Sequence, residues 1–137
     1  MFAIWLAAFV DRHGGVSGTV HVLADEALRL RAAHNIPPKV QDVTAVIPPG
    51  KGMAGLAWER GIPVRTCNLK TDTTGDVRPG AKAVDAKAAV ALPVFADDEV
   101  VAVIGIAFQD ELELGAPVVD AIASDASSIL RLASDVD

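Results

Sequence analysis

Apolar residues at Phe2, Trp5, Leu6 and Phe9 recur at i, i+3, i+4 and i+7, the stripe of an amphipathic helix. Met1, Ile4 and Ala8 carry the apolar surface around its side. So wide a face predicts burial against a sheet, or against a second copy of the chain in a dimer. Gly14, Gly15 and Gly18 end this helix and let the chain turn. Thr19 to Leu23 is rich in strand formers, and Leu28-Arg-Leu-Arg-Ala32 alternates apolar and polar with period two. Asp25 and Glu26 between them suit a hairpin turn, so an antiparallel pair is expected. Ile36-Pro-Pro38 then predicts a short helix carrying Val40 and Val43, with a proline in its first turn.

Ile47 and Pro48 lead into Pro49-Gly-Lys-Gly-Met-Ala-Gly-Leu-Ala-Trp-Glu-Arg-Gly-Ile-Pro-Val64. This reads as a glycine-punctuated loop, a helix over Met53 to Arg60, a glycine stop at Gly61 and a strand from Ile62 to Cys67. The first N–H groups of that helix have no intrahelical partner, so its start could receive a polar or anionic group; a plain loop-to-helix connection explains it equally. Asn68 to Lys87 holds turn formers and little periodicity, and loops of that length are often functional. Ala88 to Phe95 and Val100 to Phe108 predict two apolar strands, with Gly105 leaving out a side chain for close packing or cavity space. Pro117 opens a last helix from Ala116 to Leu132 with Val119, Ile122, Ala126 and Ile129 as its stripe. The order predicts an α+β domain built on one antiparallel sheet, a single domain over residues 1–137.

Composition narrows the function. The 137 residues are 51% hydrophobic, with four Phe, two Trp and no Tyr, which suits a tightly packed core. A net charge of −6 with scattered Lys and Arg argues against a nucleic-acid partner. Cys67 is the single cysteine, which excludes an intramolecular disulfide and a multi-cysteine metal site. Met1 to Val10 lacks the flanking charge and cleavage site of a secretory signal, and no run approaches the roughly 18 apolar residues of a membrane span. A cytoplasmic protein without a membrane partner is the expectation.

In this setting the motif order resembles a GAF domain. The likeness runs through the lead-in helix, the hairpin Val16–His34, Gly50-Lys-Gly52-Met-Ala-Gly55 with Gly61-Ile-Pro-Val64, and the strand pair Ala89–Val94 and Val101–Ala107. It implies a PAS-like antiparallel sheet of five to six strands, with the terminal helices on one face and a loop and helix insert over the other. It also implies a stand-alone regulatory module that is non-catalytic. Such a module binds a small molecule or a signalling protein and forms a homodimer, here through the first helix. The enzymatic alternative within the family is a free methionine sulfoxide reductase, for which this chain lacks a resolving cysteine beside Cys67.

The residues expected to line a ligand pocket are Gly52, Met53, Trp58, Thr66, Cys67, Asp72 and Leu92, between the central strands and the cover from Gly52 to Asp72. Cys67 closes an apolar strand and reads chiefly as a small buried hydrophobe. His21 alternates with Val20 and Val22 and so faces away from them; it suits a structural histidine or a pocket wall. Lys51 lacks the phosphate-loop pattern, and no histidine or carboxylate spacing suggests a metal. The residues name no cofactor.

Overall fold

The computed structural model describes residues 2–66, 88–109 and 115–130. Its elements are α1 (Phe2–Arg12), β1 (Ser17–Ala24), β2 (Ala27–His34), α2 (Pro38–Val43), β3 (Val46–Ile47), α3 (Gly52–Arg60), β4 (Val64–Thr66), β5 (Ala88–Ala96), β6 (Glu99–Phe108) and α4 (Ala116–Ala126). The strands form one antiparallel sheet in the order β3-β2-β1-β6-β5-β4. The two hairpins close on Asp25-Glu26 and Asp97-Asp98, all four residues at positive φ. That turn matches the right-handed twist of the flanking strands, and a short acidic or amide side chain tolerates it best.

Alternation along the central strands divides the interior into two layers. Val20, Val90, Leu92, Ile104 and Ile106 face α1 and α4, where Leu6, Phe9, Val119, Ile122 and Ile129 complete the larger core. Ala91 and Val103 face the other way, toward α3, in a smaller cluster with Leu28, Ile47, Ala57 and Val64. The terminal helices therefore share one face, and the insert from α2 to α3 covers the other. Trp5 stacks on Phe9 in α1, and Phe9 meets His13 just past the helix edge to face, with ring centroids 4.9 Å apart in both pairs. Trp5 Nε1 donates to Ser128 Oγ (3.0 Å), and Asp125 accepts from Arg12 and contacts His13 Nε2 at 2.6 Å, so α1 is tied at two points to the C-terminal end of α4.

The last helix ends at Ala126, with a turn at Ser127 and Ser128 inside the expected span, and two features of the sheet also depart from the sequence pattern. A bulge at Arg31 interrupts the β1–β2 register between Val20↔Ala32 and His21↔Leu30. It puts Leu28 in the cluster under α3 and Ala32 in the core under α1, so the period-two run does not keep to one face. The second feature is β3, a two-residue strand at the sheet edge that pairs with Leu28 and Arg29. It is too short for periodicity to reveal. The first helix extends to Arg12, and α3 ends at Gly61 in the left-handed conformation (φ 67°) that the glycine stop implied.

Candidate functional site

Small residues on one sheet face open the site. On the face opposite the terminal helices, Ser17 pairs across to Ala107 and on to Ala89, while Thr19 pairs to Gly105 and on to Ala91. None of the six carries a side chain larger than threonine. A Cβ on Gly105 would sit 2.8 Å from Thr19 Oγ1, so glycine is required for that hydroxyl to lie in the row. The result is a cavity of about 140 Å³ between the sheet and the insert.

The insert supplies the other walls: Ile36, Val40 and Thr44 around α2, Ile47 of β3, and Lys51 to Ala54 at the start of α3. Gly55 allows this approach, because a Cβ there would lie 2.8 Å from the carbonyl of Pro48. Gly50 N–H donates to the Gly55 carbonyl (3.1 Å) and clasps the loop onto the helix. Lys51 is the N-cap, and no side chain caps this helix.

Three polar side chains of β1, Ser17, Thr19 and His21, lie on the floor of the cavity. Ser17 and His21 are each only 2% exposed. His21 Nε2 lies 2.8 Å from the carbonyl of Thr44, the C-cap of α2. A carbonyl can only accept, so Nε2 carries the proton and donates. Burial lowers the His21 pKa, against the opposing pull of that hydrogen bond, and keeps the ring neutral. Nδ1 is then a bare acceptor. Among the described residues neither Nδ1 nor Ser17 Oγ has a hydrogen-bond partner. Buried polar groups are nearly always paired, with protein or with ordered water, so these two atoms stand out.

The expected lining residues distribute unevenly. Gly52 and Met53 line the cavity, whereas Trp58 packs into the cluster between α3 and the sheet. Leu92 pairs with Ile104 on the far side of the sheet, fully buried under the terminal helices. Its neighbours Ala89 and Ala91 face the cavity instead, because strand side chains alternate. Thr66 ends β4 opposite Ala89. Cys67 and Asp72 lie outside the described residues. Ser17 and Thr19 were not among the expected lining residues. Their signal was faint: small polar residues spaced by two, in phase with His21. No group of three metal-ligating side chains gathers among the described residues.

A family model for the GAF domain matches residues 3–130, nearly the whole chain. The chain belongs to the GAF family. Comparison with curated proteins gave no match. Among solved structures, the GAF domain of a phosphoenolpyruvate-protein phosphotransferase from Acinetobacter is 15% identical, with 98% of this chain and 82% of that one covered at a TM-score of 0.72. The type II free methionine-R-sulfoxide reductase of Thermoplasma acidophilum is 16% identical, covering 91% and 84% at 0.71. A Staphylococcus aureus NreA protein mutated in its nitrate-binding site is 16% identical, covering 82% and 88% at 0.67. These likenesses establish the GAF fold, on which regulatory and enzymatic proteins both occur. No helix among the described residues is long and apolar enough to cross a membrane.

Proposed function

We propose that this GAF domain is a non-catalytic small-molecule sensor whose ligand occupies the cavity between β1, β5 and β6 and the insert. The observation that carries the reading is the pair of buried, unpartnered polar atoms, Ser17 Oγ and His21 Nδ1, in the lining of a cavity whose floor is otherwise Thr19, alanine and glycine. An unpaired buried polar group costs about 1–3 kcal/mol, a cost that a bound molecule can offset. Similar folds serve a protein with a nitrate-binding site and a sulfoxide reductase, which supports a small-molecule ligand for this fold. The single cysteine supports the non-catalytic part, since thiol chemistry ending in an intramolecular disulfide needs two.

Native mass spectrometry of the freshly purified protein, followed by a thermal-shift screen of small polar molecules, tests the sensor. A co-purifying molecule, or an added one that raises the melting temperature, is expected. A protein that arrives empty and responds to none of the screen would overturn the reading. Turnover of free methionine sulfoxide with a thiol reductant, lost on Cys67→Ser, would overturn its non-catalytic part and favour a reductase. The same reading has the domain acting as a homodimer through α1, where Ile4 is 79% exposed beside the buried stripe.

A further inference from the structure

Thr19 stands between Ser17 and His21 on the same face of β1. Those two residues are almost wholly buried, whereas Thr19 is half-buried and keeps part of its surface. Resting on the pocket reading above, we infer that Thr19 is the residue that recognises the ligand. The ligand is a small neutral molecule, a hydrocarbon body about the size of a benzene ring, with one oxygen that hydrogen-bonds to the Thr19 hydroxyl.

The neighbours of Thr19 fix where its side chain points. A Cβ on Gly18 would meet Val10 and Leu6 at 2.8 and 3.1 Å, and Val20 is fully buried in the core under α1 and α4. Both flanking residues face the terminal helices, so by alternation Thr19 faces the insert. β1 lies inside the sheet, between β2 and β6, so that side chain meets the space under the insert and not an open edge. Across the ladder Thr19 pairs with Gly105, and a Cβ there would lie 2.8 Å from Thr19 Oγ1. The hydroxyl thus lies over a residue without a side chain. Among the described residues it has no hydrogen-bond partner. It is the polar group on the floor that a ligand meets without any movement of the wall.

The rest of the lining decides the class. Val40, Ile47 and Met53 form walls, and Ala91 and Ala107 flank Thr19 on the floor. Lys51 and His21 are the ionisable residues of the lining. Lys51 is exposed to solvent, and burial keeps His21 neutral. An anion held at Thr19 would give up its hydration with no buried countercharge in exchange. A neutral oxygen that keeps one hydrogen bond costs far less to bury. A hydroxyl both donates and accepts, so Thr19 takes an alcohol, a phenol or a carbonyl alike. The cavity of about 140 Å³ is close to an engineered one of about 150 Å³ that takes benzene, which sets the size of the body.

Phenol and toluene are nearly the same shape and differ in the oxygen, and benzoate supplies the charge. Binding of each to the full chain is followed by NMR titration in the wild type and in Thr19→Val, which trades the hydroxyl for a methyl group. Phenol should lose about tenfold in affinity relative to toluene in the variant, the worth of one buried hydrogen bond. In the wild type, bound phenol should show nuclear Overhauser contacts to the methyl groups of Ala91 and Ala107, a reading that does not depend on the variant. An unchanged phenol-to-toluene ratio with both bound, or toluene bound without phenol, would overturn the role of Thr19 and leave the pocket standing. Benzoate bound more tightly than phenol would overturn the neutral class. Phenol in contact only with residues outside the cavity would overturn the site. If none of the three binds, the ligand class falls; a blank thermal screen alongside would bring down the pocket reading itself.

Discussion

Replacing Ser17 by alanine should stabilise the ligand-free protein, an unusual direction for a polar substitution inside a sheet. Ser17 is 2% exposed, and its hydroxyl has no partner among the described residues. A buried hydroxyl with a partner contributes about 1 kcal/mol to stability, whereas one without a partner costs about 1–3 kcal/mol in lost hydration. Alanine removes only the oxygen. The neighbouring side chains in the row are already as small as Ala107 and Ala89, so no larger group is left unsupported. Taking about 1 kcal/mol as the gain, and an unfolding entropy of about 2.1 cal/mol/K per residue over 137 residues, the melting temperature should rise by about 3 °C. Calorimetry on protein stripped of small molecules measures this directly, and urea midpoints at constant m-value supply a second reading. A fall of similar size would refute the argument, because it is what a hydroxyl with a satisfied hydrogen bond produces.

Three further outcomes follow from the same geometry. Ala107→Leu places a branched side chain beside Ser17 in the cavity row, so it should weaken any ligand by about 1–3 kcal/mol, the range of overpacking strain, with binding titration as the measure. The Asp125 carboxyl is raised by burial but lowered further by its hydrogen bonds from His13 and Arg12, so its net pKa lies below the ordinary value near 4. The stability it contributes is therefore present above about pH 4 and lost as pH falls through the depressed value; with Arg12 half exposed it is at most about 1 kcal/mol. Urea midpoints of wild type and Asp125→Asn should differ at neutral pH and converge in acid, and a gap that persists in strong acid would contradict the ion-pair account. Ile4→Glu should change the stability of a monomer by no more than about 0.5 kcal/mol, because Ile4 is 79% exposed, yet abolish a dimer formed through α1; light scattering separates the two effects.

The framework was legible because its elements are long and locally consistent. The α1 stripe, the acidic hairpin turns, the Gly61 stop and the two apolar strands each follow from side-chain period or backbone freedom, and the structure bears them out. What the pattern could not carry was direction. Leu92 sits in a run apolar on both faces, so alternation there has no polar phase to anchor it, and the residue belongs to the helix-side core. The β2 run misled for the opposite reason: its alternation is clean, but the Arg31 bulge shifts the phase and sends Leu28 and Ala32 to opposite faces. Ser17 escaped notice because a serine at the start of a strand after a glycine pair looks like turn chemistry. Only its pairing with Ala107 and Ala89 shows that it belongs to a floor.

His21 lies where the sheet floor of the cavity meets its cover. Helix α2 buries no side chain of its own, and its internal bonds from Gln41 and Thr44 are local. Among the described residues, the side-chain bond that joins its C-terminal end to the sheet is the one from His21 Nε2 to the Thr44 carbonyl. A segment held by so few buried contacts opens at low cost. The opposite nitrogen of the same ring is a buried acceptor without a partner among the described residues. Hydrogen bonds on the two sides of an imidazole polarise one another, so a donor arriving at Nδ1 strengthens the grip of Nε2–H on Thr44. Under the proposed sensor function, recognition and the hold on the cover would pass through one ring, and a phenylalanine of similar shape would pack there while severing the bond to Thr44.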